Sequence, residues 1–513
     1  MSKDQSKHVK TIGAIMIITL AGKVLGLVRD MLLGHHFGTG MESSAFLVAS
    51  RIPRTFFDAI FASAISASFI PVFNEQLERR GRSGAFRLSN CFFTWVGLTT
   101  AAFSLAGIVL AEPIVSILAD GFDARTAELC ARLLQILFPT VFFTGIAFSL
   151  AGVLQSLGQF TLPAAMSVVS NAIIICYYLL FCRSFGIQGL AWAFLLGWAA
   201  QALIQIPWLR RAGFRYRPVL YHSALPQVLR LMASVMVSTW VQPVNQLLST
   251  RFATHLFSGA GASAMDYANT LYTILTGVLV LSITNVLFPE MSRLSSAGRR
   301  EELGELLCTN LRGMLFFLIP LTAGVMLMAE PLVRLLFEWK SWTSFSTLIT
   351  ARALRYMSLG MVAFGLQNVL SRFFYADMDG RTPVISGMVS IGINLLLCIL
   401  LTEPLDIAGP SLATALSATA GAVVLLLPTL RRVPGLKSRE FRRSIGSMLL
   451  CTLAMGIAVA LLHGACSALL PDTLTGRVLE LGVPAAAGIA LYLLLAHLMK
   501  LPELNLLTQF FKK

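Results

Sequence analysis

The sequence predicts an all-α polytopic membrane protein of about fourteen transmembrane helices. The helices form two six-helix lobes related as parallel repeats, followed by two C-terminal helices. Three observations carry this. The chain has 513 residues, 56% hydrophobic and only 13% charged, with a mean hydropathy of +0.75, whereas a soluble chain carries about 25% charged residues. Apolar runs near the bilayer-crossing length of about 20 residues recur from end to end. Segments of the first half also return, in order, in the second. The runs lack strict alternation, so each must satisfy its backbone polar groups internally as a helix and not as a barrel strand.

Taken in order, the expected spans are 10–33, 44–71, 86–110, 128–156, 161–182, 187–209, 226–256, 265–289, 306–330, 348–374, 382–402, 408–430, 444–469 and 477–499. The polar start MSKDQSKHVK leads into the first run with no small-residue cleavage site after it, so that run is expected to be a retained span. Basic residues fall in alternate connections: Arg79, Arg80, Arg82 and Arg87 after span 2, and Arg210, Arg211, Arg215 and Arg217 after span 6. Arg293, Arg299 and Arg300 follow span 8, and six lysines and arginines lie between Arg431 and Arg443 after span 12. The intervening loops are neutral or acidic. Both termini are therefore expected on the cytoplasmic side of the cell membrane. This pattern also accounts for the net charge of +15 without nucleic acid as a partner.

The repeat rests on four collinear matches. LAEPIVSIL (110–118) returns as MAEPLVRLL (328–336), and Pro71 as Pro289, both 218 residues on. GIQGLAWA (186–193) returns as DIAGPSLA (406–413), and Pro163 as Pro383, both 220 residues on. The offset covers six spans, an even number, so both copies keep one orientation. The expected division is a lobe at 1–217, a second at 218–433 and a helix pair at 434–513, a layout found in transporters with a central site. A static duplicated scaffold is the alternative.

The first two spans carry the chemistry. A charge at membrane depth costs about 2.5–3.5 kcal/mol on insertion scales, yet span 1 holds Lys23, Arg29 and Asp30, and span 2 holds Arg51, Arg54 and Asp58. Lys23 and Asp30 are two turns apart on one face; Arg51, Arg54 and Asp58 share another. These faces are expected to line a cationic cavity for an anion such as a pyrophosphate, which guanidinium groups bind bidentately. Arg54 and Asp58 can pair, leaving Arg51 in surplus. Arg29 and Asp30 are adjacent, so their side chains are expected to diverge by about 100° and not to face one another; snorkelling to the outer interface is the other reading. Arg355 and Arg372 are secondary candidates from the second half. Gly22 and Gly26 form a GxxxG helix-packing pattern.

Signs of catalysis are missing. AGKVLG lacks phosphate-loop spacing, and no HExxH or GxSxG pattern occurs. The eight cysteines are scattered, so no disulfide, metal or cofactor is expected, and His35 and His36 read as surface residues. Transport would then draw on an ion gradient, the membrane potential or the substrate's own gradient.

GKVLGLVRD (22–30), FGTGMESSAFLVASRIP (37–53), SASFIPVFNE (66–75) and LAEP (110–113) resemble the MurJ/MviN family of lipid II flippases, within the multidrug/oligosaccharidyl-lipid/polysaccharide exporter superfamily. The resemblance runs through about 500 residues. It implies non-enzymatic movement of undecaprenyl-pyrophosphate disaccharide-pentapeptide to the outer leaflet by alternating access, with a groove on spans 13 and 14 for the lipid tail. It implies lipid II, membrane lipids and peptidoglycan synthesis enzymes as partners. The family's span-1 basic positions fall on Lys23 and Arg29. Its span-2 acid falls on Ser44, its span-2 cavity arginine on Phe57, and its span-8 arginine on Thr270, within YANT. Arg54, one turn before Phe57, is placed to substitute. These departures leave room for another polyprenyl-linked glycan or a drug or ion as cargo, or for a non-transporting cell-wall scaffold.

Overall fold

A computed structural model describes the backbone of residues 3–504; the side chains of 3–14, 16, 55–64, 66–67, 233–239, 278, 281–283, 285–286 and 289 lie outside the description. Asp58 and Phe57 are among these. The chain forms two compact units, Met1–Leu247 with Phe257–Ser263, and Leu248–Leu256 with Ala264–Lys513.

In the first unit α1 spans Lys3–Phe37 and α2 Met41–Ala64, continued by a π-helical turn at Ile65–Phe69. Then follow α3 (Ile70–Val109), α4 (Ala111–Leu118), α5 (Ala124–Leu137), α6 (Thr140–Ser156), α7 (Thr161–Leu180), α8 (Cys182–Leu203), α9 (Ile206–Arg211) and α10 (Leu225–Thr239). Asp123 starts α5 by accepting from the backbone N–H of Arg125 and Thr126 at 3.2 and 3.4 Å. α1 packs on α7, α2 on α5 and α6, and α3 on α6. A fully buried group including Phe69, Phe73, Leu88 and Phe92 fixes the latter contacts.

α11 (Val241–Thr254) and α12 (Ala260–Ser296) pass from the first unit to the second. The second unit continues with α13 (Arg300–Phe337), α14 (Ser344–Ser358), α15 (Met361–Ala376), α16 (Arg381–Leu405) and α17 (Ala408–Arg432). The hairpin of α18 (Arg439–Leu469) and α19 (Leu474–Leu498) lies against α13, where Tyr492 donates from its hydroxyl to the carbonyl of Phe316 at 2.9 Å. Arg334 on α13 reaches Asp472 at 2.9 Å and so ties the hairpin's connection to the same helix.

All fourteen expected spans coincide with helical segments. Spans 4, 6, 7 and 10 are each interrupted once, near 138–139, 204–205, 240 and 359–360. Among the described residues, nine helical segments are long and apolar enough to cross a membrane.

The backbone repeats with the sequence. α3 breaks at Leu110 (φ −94°, ψ 13°), and α13 at Met328 (φ −104°, ψ 16°), the first residues of the matched LAEP and MAEP segments. Gly186 (φ 54°, ψ −147°) is answered by Asp406 (φ 50°, ψ −134°). Gly158 (φ 81°) is answered by Met378 (φ 58°). Around these two, Gln159 N–H bonds the Leu154 carbonyl at 2.8 Å and Asp379 N–H the Phe374 carbonyl at 2.9 Å. Matched turns at matched offsets show that the duplication extends to local backbone conformation.

Candidate functional site

α1 is held to α7 by the absence of side chains at its small positions. A Cβ on Gly22 would lie 2.2 Å from Ser167 Oγ, and one on Gly26 3.6 Å from Asn171 Nδ2. The GxxxG pattern is thus an α1–α7 contact. Asn171 uses the close approach: its Nδ2 donates to the Gly22 carbonyl at 3.1 Å, and its Oδ1 accepts from Arg29 Nη1 at 3.1 Å. A carboxamide supplies a donor and an acceptor in opposite directions, which an apolar wall otherwise lacks.

Arg29 is buried, with 9% of its surface exposed. Its Nε and Nη2 donate to Asp30 Oδ1 at 2.9 and 2.8 Å. The expectation that these adjacent side chains diverge is therefore corrected. The three-methylene arm of arginine curls back across the helix surface, so the direction of Cβ does not fix where the guanidinium ends. The same guanidinium lies over the Phe194 ring, 5.4 Å from its centroid. These contacts hold Arg29 within the helix packing, at variance with the snorkelling alternative.

Arg54, on α2 just after Pro53, lies 5.7 Å from the centroid of Trp198. Phe194 and Trp198 are one turn apart on α8 and stacked, 5.6 Å between centroids and 12° between planes; Phe46 meets Phe194 edge-on at 5.0 Å. Arginines from α1 and α2 therefore converge on one aromatic pair of α8. A ring face attracts a cation by about 0.5–2 kcal/mol and leaves N–H groups at the edge of the guanidinium plane able to bond elsewhere.

The remaining candidates sit as follows. Lys23 is exposed, and among the described residues no carboxylate pairs with it. Arg51 is half-buried. Ser44 is buried and shares a hydrogen bond of 3.1 Å with Ser263. In the second unit Thr270 is half-buried on α12. Arg355 donates from Nε to the Met326 carbonyl at 3.1 Å, next to the α13 break, and Arg372 lies 5.3 Å from the Phe288 centroid. Asp58 and Phe57 lie outside the described side chains. Among the described residues no cluster of three metal-ligating side chains occurs.

Sequence reasoning did not single out Asn171, Phe194 or Trp198. Asn171 was available as a lone carboxamide within the apolar run 161–182, where an unsatisfied polar group is costly.

The family model "Lipid II flippase MurJ" matches residues 33–474. The chain is 28% identical over 518 residues to "Probable lipid II flippase MurJ" of Rhizobium meliloti (strain 1021), covering 95% of this chain and 93% of that protein. It is 28% identical over 385 residues to "Lipid II flippase MurJ" of Burkholderia cenocepacia, covering 73% and 74%. The solved structure "Lipid II flippase MurJ, inward closed conformation" shares the fold, with a TM-score of 0.81 at 22% identity over 94% of this chain and 98% of that one. An inward-facing multidrug resistance MATE family transporter of the MOP superfamily also shares it, with a TM-score of 0.67 at 16% identity over 83% and 98%.

Proposed function

The chain belongs to the MurJ family of lipid II flippases, and on that premise we propose how its own charged residues serve the transport of lipid II. It is a multi-pass membrane protein and a transporter by family. Its substrate is undecaprenyl-pyrophosphate disaccharide-pentapeptide, carried from the inner to the outer leaflet by alternating access, with no chemical step catalysed on it.

The observation that carries the reading is the pair of arginines held over Phe194 and Trp198. Two guanidinium groups held against one aromatic pair bring two positive charges together, and a pyrophosphate carries negative charge enough for both. Arg29 is partly neutralised by Asp30, and Lys23 adds a charge that no carboxylate among the described residues pairs with. An exposed lysine in mid-helix with no carboxylate partner among the described residues requires water or an anion at its ammonium.

In this reading the lobes are 1–217 and 218–433, the pair 434–513 serves the lipid tail, and both termini face the cytoplasm of the cell membrane. Thr270, Arg355 and Arg372 remain the second half's own candidate residues. Peptidoglycan synthesis enzymes are the protein partners that this activity implies.

The test is reconstitution in vesicles with fluorescent lipid II, scoring its movement between leaflets. Transport is expected with the native chain and loss with Arg29→Ala plus Arg54→Ala. Full movement with both arginines removed overturns the assignment of the site. Movement of a different polyprenyl-linked sugar in place of lipid II redirects the substrate. Growth supported by a translocation-dead variant points to the scaffold.

A further inference from the structure

The segment between α9 and α10 lies outside the site above, and it is fastened to α3 with unusual thoroughness for a loop. Residues 214–222 are non-helical. Phe214 is buried between Phe86 and Phe93, with ring centroids 5.4 Å from each. Asn90 Nδ2 donates to the Arg215 carbonyl at 3.3 Å, and Trp95 Nε1 to the Leu220 carbonyl at 2.9 Å. Thr94 Oγ1 meets the Tyr216 hydroxyl at 3.1 Å and accepts from Val219 N–H at 3.3 Å. Asn90, Thr94 and Trp95 lie within about one and a half turns of α3, so one face of that helix fixes the register of the whole segment.

The consequence is electrostatic. Fastening brings Arg210, Arg211, Arg215 and Arg217 to the part of α3 that carries Arg79 and Arg80 before, and Arg82 and Arg87 after, its break at Gly81 (φ 67°, ψ −170°). All eight are exposed. Among the described residues only Arg79 has a carboxylate within ion-pair reach, Glu75 at 3.0 Å. The nearness of the segment to α3 is felt at His222: burial first, then the charges of Arg80 and Arg87, hold its imidazole below the usual histidine range. Between these arginines stand exposed Trp208, Tyr216, Leu220 and Tyr221, with Trp95 at the start of the apolar part of α3.

Isolated loop arginines are sufficiently explained by topology. They do not require a loop bolted down by side chains, nor aromatic residues left uncovered among them. Aromatic rings with a polar edge settle at headgroup depth, and basic groups beside them attract anionic lipid by about 1 kcal/mol each. We propose that α3 and the 210–222 segment form a docking platform for the phosphate headgroups of anionic phospholipids in the adjoining leaflet. The inference does not depend on which cargo the protein carries.

The purified full-length protein is placed in nanodiscs of zwitterionic lipid with graded phosphatidylglycerol or cardiolipin, and bound lipid is counted by native mass spectrometry. The native chain is expected to retain anionic lipid selectively. Arg210→Gln, Arg211→Gln, Arg215→Gln and Arg217→Gln together should lower that preference about tenfold or more, while the matching four-lysine variant should keep most of it. Thr94→Val with Trp95→Phe keeps all eight arginines and frees the segment; it should lower the preference partially. Unchanged preference in the four-glutamine variant overturns the proposal. So does equal displacement of the lipid by inorganic phosphate at the same concentration, which marks the arginines as a general anion site. Native lipid retention with lost growth in that variant overturns it in favour of an acidic protein partner.

Discussion

Phe194 and Trp198 stack one turn apart on α8, and each ring holds an arginine from a different helix, Arg29 from α1 and Arg54 from α2. The aromatic pair therefore couples two charges that sequence spacing alone leaves independent. Arg29→Ala or Arg54→Ala should each abolish rescue of a flippase-depleted strain. Trp198→Ala should weaken transport severalfold without removing it, because a cation–ring contact contributes about 0.5–2 kcal/mol. In vesicle assays the Arg54→Ala and Trp198→Ala effects should combine to less than their product, since both remove one contact. Multiplicative loss would separate the ring from the arginine.

Asn171 bridges the Gly22 carbonyl and Arg29. Asn171→Leu leaves a buried guanidinium edge and a carbonyl without that partner, at a cost of about 1–3 kcal/mol. A lowered melting temperature in detergent is expected, together with reduced transport. The two glycines of the pattern should respond unequally. Gly22→Ala requires Ser167 Oγ to rotate away and should cost more than Gly26→Ala, whose Cβ meets Asn171 at an ordinary contact distance and should be tolerated. Equal effects at both would contradict the close approach at Gly22.

The span pattern and the duplication were legible because both are long-range regularities of hydropathy and motif. The interruptions inside spans 4, 6, 7 and 10 were not, because a window of about 20 residues averages over a single turn. The individual charges of the site were legible as charges out of place. Their partners were not: the Arg29–Asp30 fork depends on how a long side chain bends, and the Phe194–Trp198 pair looks in sequence like ordinary apolar content.

The repeat makes a prediction of its own. Gly186 and Asp406 occupy one backbone conformation, with φ near 50° and strongly negative ψ, which favours glycine. The second copy thus bears strain that the first avoids. Asp406→Gly should raise the melting temperature, relieving about 1 kcal/mol of backbone strain. Its contact to Arg352 at 3.9 Å is half-exposed and worth little. Gly186→Asp should lower stability by a similar amount. Opposite signs at the two sites, read by thermal unfolding in one detergent, are the expected signature; the same sign at both would count against equivalence of the two turns.

His222 supplies a pH dependence whose sign can be worked out. Its imidazole is buried, accepts the Ala224 N–H at Nδ1 at 3.2 Å, and is held below the ordinary histidine range by burial and by Arg80 and Arg87. The folded state thus binds this proton less readily than the unfolded chain does. The stability is fully present above the unfolded pKa of about 6.5, and it is lost as pH falls from there through the depressed folded value. Thermal unfolding between pH 7.5 and 5 should show that loss in zwitterionic detergent, and His222→Gln should flatten it over this window. Anionic lipid that screens Arg80 and Arg87 should shift the loss towards lower stability change, because the imidazolium is then less strongly opposed. A profile unchanged by His222→Gln would remove this histidine as its source.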